Sequence, residues 1–119
     1  MKKVLAIVLL MILVTAISFA ADIRKVGVTA DGAITSGSGY LKGIIVHTDG
    51  ANSVTVDVYD NASAASGSKL FSSWVVTSGA SDRTSTLGFN GQECPYFSGM
   101  YVDITTGGSA TLDFYFYSR

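Results

Sequence analysis

Past residue 20, apolar and polar side chains alternate in short runs, and the three- and four-residue apolar spacing of an amphipathic helix is missing. Val54, Val56 and Val58 interleave with Thr55, Asp57 and Tyr59 along a strand predicted over Ser53 to Asp60. Tyr40 to Thr48 is a second strand, whose Leu41, Ile44 and Val46 share a face only if the chain bulges near Gly43. Other strands are predicted at Ile23 to Thr29, Leu70 to Thr77 and Thr86 to Phe89, with a weaker extended piece around Ala33 to Thr35. Leu70 to Thr77 has apolar residues on both sides, as a strand covered on two faces or sitting at an interface would. Asn90 to Pro95 reads as a loop.

Gly99 to Thr105 and Ala110 to Tyr117 form two more alternating segments, joined through Gly107-Gly108-Ser109. One face collects Met100, Val102, Ile104, Leu112, Phe114 and Phe116, and the other Tyr101, Asp103, Asp113, Tyr115 and Tyr117. Paired as a hairpin, residues sharing a face stand opposite one another. That register places Val102 against Phe114, Asp103 against Asp113 and Tyr101 against Tyr115. The predicted fold is a single all-β domain, an antiparallel β-sandwich of jelly-roll-like form. Residues 40–119 form its body, and residues 21–39 an N-terminal extended strand with a flexible linker.

The first twenty residues have a different pattern. Lys2 and Lys3 precede an apolar run from Val4 to Ile17, and Ser18-Phe19-Ala20 places small residues at the −3 and −1 positions of a cleavage site. This is the pattern of a signal peptide, and the run is short of the about 20 residues an anchoring helix needs. The protein is therefore expected to be exported to the periplasm, cell surface or medium, and to start at Ala21.

Charge and chemistry narrow the function. Without Lys2 and Lys3, six basic residues face nine acidic ones, with no basic cluster to neutralise nucleic-acid phosphates or anionic lipid headgroups. Neither nucleic acid nor, after cleavage, a membrane is expected as a partner. Cys94 is the only cysteine, so no internal disulfide forms; it is read as a buried thiol or an intermolecular link. His47 is the only histidine and sits on the outward phase of its strand, with no motif that would make it a general base. No catalytic residue and no organic cofactor is expected. Asp103 and Asp113, if opposed, would repel unless a basic neighbour or Ca²⁺ stood between them, although Ca²⁺ needs more oxygens than two carboxylates provide. Tyr101, Tyr115 and Tyr117 form a row that could stabilise its own hairpin, meet a protein partner or stack on a surface polysaccharide.

Val56 to Asn61, the Ser/Ala loop after it, Ser66-Gly67 and the strand from Leu70 resemble small β-sandwich proteins of the tailed-phage virion decoration or head-fibre type. So does the ending, Phe97 to Val102, Ile104-Thr105 and a Gly-rich turn into a terminal aromatic strand, as does the strand from Gly39 to Val46. The resemblance spans residues 39–117 and implies a surface module without catalytic residues; the signal peptide departs from it. The expected function is a non-enzymatic exported structural or surface-display module that self-associates as a homo-oligomer, its N-terminal strand with Ile23, Val26 and Val28 serving as the assembly element. The alternative is an exported carbohydrate-binding module that uses the tyrosine row.

Overall fold

The computed structural model describes residues 22–119; the predicted signal peptide lies outside the described residues. Nine strands follow in chain order: β1 (Arg24–Val28), β2 (Gly32–Ser36), β3 (Gly39–Thr48), β4 (Val54–Tyr59), β5 (Trp74–Val76), β6 (Thr84–Gly88), β7 (Cys94–Tyr96), β8 (Gly99–Thr106) and β9 (Ala110–Ser118). They form two antiparallel sheets packed face to face, a β-sandwich. Sheet A has the order β1-β9-β3-β6, with β7 also pairing to β3. Sheet B has the order β2-β8-β4-β5.

Alternation explains which side chains fill the space between the sheets. Sheet B contributes Val54, Val56, Val58, Met100 and Val102; sheet A contributes Leu41, Ile44, Val46, Leu112, Phe114 and Phe116. All are essentially inaccessible to solvent, and burying each Val- or Leu-sized side chain contributes about 1.5–3 kcal/mol. The bulge predicted in β3 is present: the register against β9 shifts between Leu41 and Gly43, which puts Leu41 and Ile44 on the same inward face.

The predicted hairpin does not form. β8 pairs with β2 and β4 in sheet B, whereas β9 pairs with β1 and β3 in sheet A. The Gly107–Ser109 connection is therefore an arch that carries the chain from one sheet to the other. Both arrangements let Val102, Ile104, Leu112 and Phe114 turn inward, and the facing arrangement has the advantage of putting them on two sides of one core. Asp49 fixes the arch. Its carboxylate accepts hydrogen bonds from the backbone N–H groups of Ala51 (2.8 Å), Asn52 (2.9 Å) and Ser109 (3.2 Å), tying the β3–β4 turn to the crossover. These donors hold the Asp49 carboxyl well below the usual carboxylate range, the Ala51 and Asn52 N–H groups first.

Three further segments differ from expectation. Only Trp74–Val76 of the expected Leu70 to Thr77 strand pairs in a sheet, while Lys69 bridges to Tyr59 and Phe71 turns onto Phe89. The strand expected at Thr86 begins at Thr84, and Cys94 and Pro95, expected at the end of a loop, belong to Cys94–Tyr96, which pairs with Gly39–Leu41. Residues 21–39, expected as strand plus linker, supply β1 to sheet A and β2 to sheet B; only Gly37 and Ser38 separate β2 from β3.

Candidate functional site

Splitting β8 from β9 separates the tyrosines. Tyr115 and Tyr117 face outward from sheet A, where Tyr117 stands opposite Tyr40, their ring centroids 5.4 Å apart. Tyr101 faces outward from sheet B, opposite Tyr59. The predicted row of three is two pairs of rings on opposite surfaces, with Tyr115 beside the first pair. Tyr40, which completes the sheet A group, was readable from the outward phase of its strand.

On sheet A each ring carries a cation. Lys25 Nζ lies 5.9 Å from the Tyr115 centroid, Lys42 Nζ 5.8 Å from Tyr117 and the Arg119 guanidinium 4.7 Å from Tyr40. Tyr117 donates its hydroxyl proton to Glu93, which also accepts from Lys42 at 3.2 Å. That hydrogen bond to a carboxylate pushes the Tyr117 hydroxyl up to about 12, and with Lys42 it draws Glu93 below its ordinary value. Tyr115 stands opposite Gly43, which in turn stands opposite Gly88, so one side of its ring borders a strip without side chains.

Asp113 is on the same face. Its neighbours across the strands are Ile45 and Gly27, and its Oδ2 lies 3.8 Å from Lys25 Nζ and 3.5 Å from His47 Nε2. His47 also shares a 3.2 Å hydrogen bond with Thr84. It belongs to a surface polar network that also contains Asp113, Lys25 and Thr84.

Asp103 belongs to the other surface. Directly opposite it is Asp57 of β4, not Asp113. The two carboxylates meet different surroundings. Asp57 accepts from Ser73 and pairs with Lys69 at 2.9 Å, and the Ser73 bond, then Lys69, lowers its pKa. Desolvation and the nearby carboxylates of Asp31 and Asp57 push Asp103 up. Lys69 is thus the basic neighbour of an opposed acidic pair, but the pair is Asp57 and Asp103. With Asp103 and Asp113 on opposite outer faces, they cannot share a Ca²⁺ ion. Among the described residues no cluster of three or more His, Cys, Asp or Glu side chains is placed to hold a metal.

Cys94 is half-buried in β7, its Sγ 3.7 Å from the Leu70 carbonyl, and burial pushes its thiol above the ordinary range. Ile23, Val26 and Val28 divide: Val26 and Val28 pack on the core, while Ile23 remains 61% exposed just ahead of the edge strand β1. No protein-family model, no curated protein and no solved structure matches the chain.

Proposed function

We propose that this chain is a non-enzymatic exported structural module that self-associates, in the manner of a virion decoration protein or of a fibre or cell-surface filament subunit. The observation that supports this most is the position of β1. It is the outermost strand of sheet A, pairs on one side only, and places just Val26 and Val28 against the core. An edge strand presents a row of unpaired N–H and C=O groups, and such edges associate with other chains unless blocked. Export is argued from Lys2-Lys3, the apolar run and Ser18-Phe19-Ala20, and the virion or fibre setting from the resemblance of residues 39–117.

Deletion of residues 22–29 from the chain that starts at Ala21 tests this reading. The expected product is folded and monomeric, with a lower sedimentation coefficient than the undeleted chain. An unfolded product, or an unchanged assembly, overturns the role of β1.

Carbohydrate binding is the second reading, and the observation favouring it is the open strip beside Tyr115 formed by Gly43 and Gly88. A sugar ring seated there would stack on Tyr115. Affinity electrophoresis in polysaccharide gels should then show retardation of the protein that Tyr115→Ala abolishes; equal mobility of the two proteins in every gel removes this reading.

A further inference from the structure

Three edge strands carry features that hinder pairing with another chain: β7 contains Pro95, β2 is interrupted by a bulge between Ala33 and Thr35, and β5 is three residues long. β1 carries Arg24 and Lys25, which oppose a like-charged strand but not a neutral one. β6, Thr84-Ser85-Thr86-Leu87-Gly88, has no charge, no proline and no bulge. Its outer side accepts no backbone hydrogen bond from the rest of the described chain.

Hydrogen-bond alternation identifies the groups at each edge. Thr48 N–H donates to the Arg83 carbonyl at 2.7 Å, which makes these two a hydrogen-bonded pair. Counting along the register, β6 bonds β3 through Ser85 and Leu87, while Thr84, Thr86 and Gly88 direct their N–H and C=O groups outward. Carried across β3 and β9, the same alternation makes Arg24, Val26 and Val28 bond β9 and leaves Lys25 and Gly27 pointing outward from β1.

Resting on the self-association reading, we infer that copies join head to tail, β1 of one pairing with β6 of the next, so that sheet A runs on from molecule to molecule. Strand direction supports this geometry. β1, β9, β3 and β6 alternate, so a translated copy presents a β1 antiparallel to the preceding β6. Charge selects against the symmetric alternative at β1, since two copies of β1 would bring Arg24 and Lys25 together, whereas neutral β6 accepts them. Sheet B follows the same rule. Residues 29–31 link β1 to β2 at one side, while at the other Phe71, ahead of β5, packs on Phe89, just past β6, so β5 of one copy is carried toward β2 of the next. Val75 on β5, 59% exposed, then gains a cross-strand neighbour at the seam between β5 and β2. A head-to-tail contact leaves an unpaired β1 and an unpaired β6 at the two ends of every chain of copies, and unless sheet twist returns the last copy to the first, the product is an open filament.

The test uses two single variants of the chain that starts at Ala21. Lys25→Pro removes an outward N–H from β1, and Thr86→Pro removes one from β6, neither costing a bond within the sheet. Each alone is expected to sediment as a monomer, and an equimolar mixture should give a 1:1 heterodimer through its one intact pair of edges. Circular dichroism and thermal melting verify folding, and Thr86→Lys replaces Thr86→Pro if the proline variant unfolds. Dimerisation of Lys25→Pro on its own would show a symmetric β6 contact and overturn the head-to-tail arrangement, as would filaments from either variant. A monomeric wild-type chain refutes self-association itself, which separates that failure from failure of the edge assignment.

Discussion

Asp103 of β8 stands directly across from Asp57 of β4, two carboxylates on adjacent strands of one outer face. The two are tuned in opposite directions, Asp57 down by Ser73 and Lys69, Asp103 up by desolvation and by its acidic neighbours. A carboxyl held above its ordinary range binds its proton more tightly in the folded than in the unfolded chain, so stability falls as pH rises through that range. Asp103→Asn should therefore stabilise the protein at pH 7 by a few tenths up to about 1 kcal/mol, an effect that fades in acid as the wild-type carboxyl takes up its proton. Asp57 has the reverse sign: its contribution is present above the ordinary carboxylate value and is lost as pH falls, so Asp57→Asn should destabilise at pH 7 by about 0.2–1 kcal/mol. Urea melts of both variants at pH 7 and pH 3 measure the two signs.

Gly39 lies under the Tyr96 ring, where the Tyr96 hydroxyl donates to the Tyr117 carbonyl at 3.2 Å. A Cβ at position 39 would collide with both the Tyr117 carbonyl oxygen and the Tyr96 ring. Gly39→Ala is expected to cost about 1–3 kcal/mol or more, and Tyr96→Phe, which removes only the hydrogen bond, about 0.5–1.5 kcal/mol. Thermal melting should rank the two variants in that order, and equal losses would mean that the close approach is relieved at no more than the cost of that hydrogen bond.

The Tyr117–Glu93 contact is visible spectroscopically. Tyrosine ionisation followed in the ultraviolet should include one phenol titrating at about 12. Glu93→Gln should return that phenol toward the ordinary value of about 10. A titration unchanged by the substitution would separate Tyr117 from Glu93.

The arch between β8 and β9 makes its own prediction. A Cβ at Gly108 would run into the Asp49 carboxylate. Gly108→Ala and Asp49→Ala should each lower the melting temperature by several degrees, and the double variant by less than their sum, because both disrupt one linkage. Additive losses would show that the turn and the arch are independent.

How far the chain could be read depended on what alternation encodes. Val54, Val56 and Val58 were legible because a strand with one buried face marks it every second residue, and the β3 bulge because Leu41 and Ile44 break that period around a glycine. Alternation states which residues share a face and leaves the partner strand open. The inward faces of β8 and β9 would look the same in a hairpin as on opposing sheets, so Asp103–Asp113 and Tyr101–Tyr115 were paired across what is an arch. The Asp49 carboxylate that holds this arch acts from sixty residues away in the chain, beyond any local pattern. β7 was hidden by Pro95, and the start of β6 by Thr84 and Ser85, which carry no apolar signal. The sheet A tyrosine cluster needed Tyr40, Lys42, Glu93 and Arg119 brought together from three separate segments.

The measurement that bears most directly on the central claim is a sedimentation-velocity concentration series on the chain from Ala21 to Arg119. Self-association through open sheet edges predicts a weight-average sedimentation coefficient that climbs with concentration, with elongated species visible by negative-stain microscopy in the upper range. A single monomeric boundary that stays constant from micromolar to millimolar protein would contradict it.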